Sequence, residues 1–198
     1  MSNRKQLSQA MICDAGEMLF SRHGYSAVGI KMILDEVGIP KGSFYHYFKS
    51  KEAFAVEVAE QYFTQRFERF CNALAKDDAC ISEVILSSYE SEIDEMFQHE
   101  KVRGCVLGNL FIEANSDLEL LRAKLNDIYT RWLAVFTECI EKGQKQGEFR
   151  KDIDAKQLAS MFWAHWEGTV LKFQVSSDKE QVKQEMRNFT RLMANPSC

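Results

Sequence analysis

From Leu7 to Phe20 the apolar positions Met11, Ile12, Ala15, Met18 and Leu19 recur three and four residues apart, the spacing of an amphipathic helix, and Gly24 offers it a left-handed stop. Ile30, Ile33, Leu34 and Val37 mark one face of a short second helix that opens near Gly29 and closes at Gly38. A third starts at Pro40, where a missing N–H costs nothing in a first helical turn, and runs through Phe48. Ser50 is suited to cap a much longer fourth helix. Its apolar positions Ala53, Phe54, Val56, Val58, Ala59, Tyr62, Phe63, Phe67 and Phe70 form a face broad enough to be packed on several sides. The same period gives further helices at about 81–99, 105–115, 117–146, 154–174 and 178–194, with Gly143, Gly147 and Asp152 marking a turn before the last two.

Composition agrees with this all-α pattern. Only Pro40 and Pro196 interrupt 198 residues that are otherwise rich in helix formers. The formal net charge of −4 argues against a nucleic-acid coat, yet it hides an asymmetry. Residues 1–51 hold Arg4, Lys5, Arg22, Lys31, Lys41, Lys49 and Lys51 against Asp14, Glu17, Asp35 and Glu36, so this segment is basic and the remainder acidic. A basic head on an acidic body suggests that only the first part meets a polyanion, although chance explains such an imbalance equally well. Cys13, Cys71, Cys80, Cys105, Cys139 and Cys198 are scattered without a C-x-x-C pair or a secretory signal, which is the pattern of reduced thiols in a cytoplasmic protein. No apolar run approaches the roughly 18 to 20 residues that span a bilayer, so no membrane partner is expected.

The second and third helices, joined by a short turn at Gly38, make a helix-turn-helix. Phe44 and Phe48, four residues apart, can pin the third helix to the first two, which turns Lys41, Gly42, Tyr45 and His46 outward. That face suits a major groove: Lys41 brings a cation, Gly42 a close backbone approach, Ser43 a hydroxyl, and Tyr45 a ring with a hydroxyl. Tyr47, Lys49 and Lys51 can hold phosphates, as can the backbone N–H groups around Gly29 and Lys31 at the start of the second helix. Taken singly, each aromatic is better explained as core and each lysine as a solvated charge. The five consecutive rings Phe44-Tyr45-His46-Tyr47-Phe48 cannot all face inward, however.

At these residues the chain resembles the TetR family of transcriptional regulators. The resemblance is carried by Phe20-Ser21-Arg22-His23-Gly24-Tyr25, Ile33, Val37-Gly38, Lys41-Gly42-Ser43, Tyr45-His46-Tyr47-Phe48 and Ser50-Lys51-Glu52. It implies that Lys41, Gly42 and Tyr45 approach bases while His46, Tyr47 and Lys51 contact the DNA backbone. Val28-Gly29 departs from the pattern, since many members carry Thr or Ser there. Gly29 can cap the helix but brings no hydroxyl to a phosphate. The implied architecture is a helix-turn-helix DNA-binding domain over 1–51 and a helical signal-sensing and dimerisation domain over 52–198. The partners implied are double-stranded DNA carrying a pseudo-palindromic operator, a small-molecule or electrophilic inducer, and a second copy of the chain in a homodimer. Repression by steric blocking of a promoter is the simplest mechanism, with activation not distinguished.

In the body, Leu158, Ala159, Phe162, Trp163, Trp166, Val170 and Phe173 stripe one helix, and Val182, Met186, Phe189 and Met193 stripe the next. Two such helices from each subunit would close a four-helix bundle; a core within the single chain is the competing explanation. The run Arg103-Gly104-Cys105-Val106-Leu107-Gly108-Asn109-Leu110 resembles the start of the sixth helix in a subgroup of electrophile sensors that respond to N-ethylmaleimide. A thiol at a helix N-terminus beside Arg103 would be activated, whereas a packed Cys105 would be inert. Phe111, Trp132, Phe136, Trp163, His165, Trp166 and Lys172 are candidates to line a ligand pocket, and each fits a core or interface position as well. His165 has no Cys or His three or four residues away, so neither a metal site nor a cofactor is expected. Phosphate loop, dinucleotide fingerprint and H-E-x-x-H are all missing, and Gly104-Cys105 to Gly108 misses the nucleophile-elbow spacing, which leaves an enzyme using Cys105 disfavoured. A helical adaptor that binds only protein remains the other alternative.

Overall fold

The computed structural model describes residues 3–76, 80–98, 104–176 and 178–195, without the side chains of 3–8, 41 and 176. Arg103, Cys198 and the side chain of Lys41, all weighed above, therefore lie outside the described residues. The elements are α1 (Asn3–Ala27), α2 (Ile30–Val37), a single 3-10 turn (Lys41–Ser43), α3 (Phe44–Tyr47), α4 (Lys51–Leu74), α5 (Ile81–Phe97), α6 (Val106–Glu113), α7 (Glu119–Gln146), α8 (Ala155–Ser176) and α9 (Lys179–Met193). The expected helices are all present. Among the described residues no helix is long and apolar enough to cross a membrane.

Two compact units divide the chain. The first holds residues 1–65 and 103–128, so it combines α1, α2, α3, the first part of α4, α6 and the start of α7. Its core is built on Ile12, Leu19, Phe20, Ile33, Leu34, Phe44, Phe54, Val58, Leu110 and Leu125, all nearly or fully buried. The second unit holds residues 66–102 and 129–198, with α5 and α8 both packed on α9. Phe136, Phe149, Phe162 and Phe173 are its largest fully buried side chains.

Helix starts fall into two kinds. Ser50 Oγ accepts from Ala53 N at 3.0 Å, and Asp178 caps α9 by accepting from Gln181 N at 3.0 Å, so these two begin on local side-chain caps. Others are capped from far away in sequence. Glu148 accepts from Ile81 N (3.1 Å) and Ser82 N (2.8 Å) at the head of α5, and Glu52 Oε1 accepts from Leu120 N (2.8 Å) and Leu121 N (3.1 Å) at the head of α7. In each case a carboxylate meets the positive end of a helix dipole.

A candidate nucleic-acid interface

The turn between α2 and α3 is set by its backbone. Gly38 adopts the left-handed conformation (φ 66°, ψ 31°) and its N–H reaches Leu34 O, as does Ile39 N at 3.1 Å, so α2 ends on two bonds to one carbonyl. Pro40 is extended, and Ser43 N donates to Pro40 O at 2.9 Å to close the 3-10 turn. The third helix is shorter than its sequence suggests. It ends at Tyr47 because Phe48 is extended (φ −130°, ψ 132°), which carries the chain away to Ser50, the cap of α4.

Phe44 and Phe48 face inward even so. Phe54 of α4 is the hub, with ring centroids 5.5 Å from Phe44, 4.9 Å from Phe48 and 5.7 Å from Phe20 of α1. With these rings buried, Tyr45 is left 61% exposed, beside an exposed Gly42 and His46 and half-buried Ser43 and Tyr47. Gly29 and Lys31 are exposed at the start of α2, where no side chain supplies a cap. Lys31 pairs with Asp35 at 3.3 Å in a solvent-exposed contact of little energetic weight.

Lys51 is less free than a solvated phosphate ligand. Its Nζ stands 4.1 Å over the Tyr25 ring and donates to Ser26 O at 3.5 Å. Desolvation pulls its pKa below the ordinary lysine value, and the charge of Glu113 opposes that shift.

Glu113, which the sequence did not single out, sits at the end of α6 and accepts from Tyr25 N and Ser26 N, both at 2.7 Å. These amides follow Gly24, where α1 breaks its helical geometry (φ 75°, ψ 176°). Glycine is demanded there by the backbone, and a Cβ, 2.0 Å from Glu113 Oε1, would also displace that carboxylate. On the other side of the break, Gly104 N donates to Ser21 O at 3.0 Å, and Asn109 Nδ2 lies 2.9 Å from Phe20 O and 3.2 Å from Ser21 O.

Cys105 is the N-cap of α6, and its Sγ accepts from Gly108 N at 3.4 Å. The Tyr62 hydroxyl donates to the same sulfur at 3.9 Å, and the residue is 5% exposed. The expected helix-start position is thus occupied by a packed thiol.

The pocket candidates are divided between the two units. Phe111 belongs to the first unit and is partly exposed; Trp132, Phe136, Trp163, His165 and Trp166 belong to the second. There Trp132 stacks on Phe136 (4.5 Å) and meets Trp163 edge-on (4.9 Å), while Tyr89, missed in the sequence, contacts Phe162 (4.7 Å) and Trp166 (4.6 Å). Lys172 is engaged in an ion pair with Glu185. His165 stacks on Phe189 at 4.1 Å and is held below the usual histidine pKa, chiefly by burial, against the opposing charge of Glu185. Among the described residues no group of His, Cys, Asp and Glu is placed to hold a metal ion.

The stripe expected to meet a partner subunit is spent within the chain. Phe162, Trp166, Val170, Val182, Met186 and Met193 are all buried in the single chain, and Phe189 is half-buried. The reason is that α5 and α9 together provide the cover that the sequence pattern appeared to lack. Exposed instead are Met161, Ala164, Gly168, Leu171 and Val175 of α8 and Leu192 of α9.

Comparison with known proteins places this geometry. Residues 12–58 match the profile "Bacterial regulatory proteins, tetR family", and residues 85–189 match "Tetracyclin repressor-like, C-terminal domain". The chain is 30% identical to the HTH-type transcriptional repressor DhaR of Mycobacterium sp. (strain GP1), over 87% of this chain and 85% of that protein. It is 26% identical to the HTH-type transcriptional repressor NemR of Escherichia coli (strain K12), over 92% of each chain. The crystal structure of E. coli NemR in its reduced form superposes with a TM-score of 0.83, covering 96% of this chain and 99% of that one. A regulatory protein TetR from Rhodobacter sphaeroides, 29% identical, superposes with a TM-score of 0.86 over 94% of this chain and 99% of that one.

Proposed function

The chain belongs to the TetR family of bacterial transcription regulators, and on that premise we propose that it is a dimeric repressor, released from a pseudo-palindromic operator by a small molecule or an electrophile. The observation that carries the reading is the division of the recognition segment: Phe44 and Phe48 are buried against Phe54, while Gly42, Tyr45 and His46 stand in solvent. Tyr45 and Gly42, with Lys41 ahead of them, read base edges; His46, Tyr47, Lys51 and the start of α2 at Gly29 and Lys31 take phosphates, with Ser43 available to either. The DNA-binding domain is 1–51 and the sensing and dimerisation domain 52–198. Repression is favoured by the names of the relatives DhaR and NemR.

A second copy is the natural cover for the apolar positions left open on α8. Met161, Ala164, Gly168, Leu171 and Val175 alternate three and four residues apart, which is the seam of a helix–helix contact, and the two small residues allow close approach. Two recognition helices related by a two-fold then require two half-sites.

For the signal, two receptors have support. Cys105 is favoured for an electrophile by its place at the start of α6 and by the likeness to NemR. The aromatic cluster of Trp132, Trp163 and Tyr89 favours a reversible apolar ligand. Either acts by binding the DNA-incompetent state more tightly, through α4, which follows directly on the recognition segment.

Selection of duplexes from a random-sequence library by the wild-type protein, followed by footprinting, tests the reading. Two protected, symmetry-related half-sites are expected. A single asymmetric half-site of full affinity, or no selection at all, would overturn it. Treating wild type, Cys105→Ser and Cys71→Ser with N-ethylmaleimide then separates the two receptors. DNA release in all but Cys105→Ser identifies the thiol, and equal loss in all three removes it.

A further inference from the structure

The break in α1 at Gly24 leaves polar groups that a continuous helix would have paired internally. In an unbroken helix the Tyr25 N–H would go to Ser21 O. Here Ser21 O receives Gly104 N and the Asn109 amide, Phe20 O receives the same amide, and the N–H groups of Tyr25 and Ser26 go to the Glu113 carboxylate. The segment bounded by Gly104 and Glu113 thus bridges the break, satisfying carbonyls on one side and amides on the other. Beyond Ser26 lie only Ala27, Val28 and Gly29 before α2, so the residues gripped by Glu113 lead directly into the helix-turn-helix. A third element holds the same point: Lys51, at the start of α4, lies over the Tyr25 ring and bonds Ser26 O.

We propose that Glu113 is a positioning residue for DNA recognition: its carboxylate fixes the strap Gly24–Ser26 and thereby sets, from α6, the pose in which α2 and α3 meet the operator. The inference rests on the DNA-binding reading above and adds to it the residue through which α6 acts on the reading head. The contact is well suited to this role. It is charge-assisted and bidentate, so it fixes orientation as well as distance, and it is made to backbone N–H groups rather than to a side chain that could swing away. Any shift of α6 that withdraws the carboxylate exposes two unpaired amides at the root of α2, and the strap relaxes.

The test compares wild type, Glu113→Gln, Glu113→Asp and a control, Glu60→Gln, which breaks an ion pair with Lys124 in the same unit without touching the strap. The probe is a duplex selected from a random library by the wild-type protein. Glu113→Gln, which places an NH2 where one oxygen now accepts, is expected to lower affinity for that duplex by about tenfold, within the range typical of coupling between sites. Amide exchange at Tyr25 and Ser26 should quicken in this variant more than exchange elsewhere in the unit, its thermal midpoint should fall too little to account for the lost affinity, and the affinity of Glu60→Gln should stay at the wild-type value. Glu113→Asp keeps the charge but not the reach, and should fall between the two. Unchanged affinity despite faster exchange overturns the proposal, as does a loss of affinity matched in both Glu113 variants by a parallel loss of thermal stability. If the wild-type protein selects no duplex, the DNA-binding reading fails first and this proposal with it.

Discussion

Phe54→Ala removes the hub that holds the recognition segment to the rest of its unit. Phe54 is fully buried, and three rings meet it: Phe20 at 5.7 Å, Phe44 at 5.5 Å and Phe48 at 4.9 Å. Deleting a buried phenyl costs about 3–5 kcal/mol, a large part of the roughly 5–15 kcal/mol by which a domain is stable. Phe54→Leu refills most of the volume but forfeits the ring pairs, each worth about 0.5–1.5 kcal/mol, so a smaller loss than that of Phe54→Ala is expected for it. The damage should be local. Phe44 and Phe48 lose their main partner, so α3 loosens and operator affinity falls more than the second unit's amide protection does. Urea unfolding of both variants, with hydrogen exchange read separately for α3 and α9, provides the measurement. A cost below about 1 kcal/mol for Phe54→Ala, or undiminished operator binding, would show that these rings do not hold the recognition segment in place.

Four further outcomes follow from the same geometry. Tyr45→Ala should cost about 1–3 kcal/mol on the selected operator and little on unrelated DNA, measured by anisotropy with the circular dichroism unchanged; equal losses on both sequences would exclude base reading by Tyr45. Burial raises the thiols of Cys13 and Cys139 to about 12, so both should resist N-ethylmaleimide at neutral pH until the protein unfolds, and mass mapping that finds either alkylated in the native state would contradict this. Leu171→Glu, on the open stripe of α8, should yield monomers by sedimentation while remaining folded; an intact dimer would move the interface elsewhere. Glu148 is held below the usual glutamate pKa by its bonds to the start of α5, which outweigh a desolvation that acts the other way. Its contribution is therefore present above the unfolded-state value and lost as pH falls through the folded one. The thermal midpoints of wild type and Glu148→Gln should differ at neutral pH and converge in acid, and a constant gap would refute the linkage.

Helix positions and the inward turn of Phe44 and Phe48 were legible because both depend on spacing along the chain. Ser50 was legible as a cap for the same reason, its partner amide being three residues away. Glu113 was not, since its partners Tyr25 and Ser26 lie 88 and 87 residues off and nothing in a lone glutamate marks that distance. The spacing in α8 and α9 marks two apolar stripes and leaves open whether a second subunit or the chain itself covers them. Periodicity reports that a face must be covered and is silent on what covers it, which here is the chain itself. The thinner stripe through Ala164 and Gly168 escaped notice because small residues give a weak hydrophobic signal. Cys105 could be placed at a helix start from sequence, whereas its contact with Tyr62 required the fold.

The distant caps on α5 and α7 also bear on the order in which the chain folds. A helix that starts on Ser50 or Asp178 can nucleate while its surroundings are still open. The first turns of α5 and α7 cannot, because the carboxylates that complete them arrive from Glu148 and Glu52, 66 to 69 residues away. Closing loops of that length comes at an entropic cost before any bond is gained, so these two helix starts belong to the late part of folding. Removing either carboxylate should therefore speed unfolding and leave the folding rate nearly unchanged.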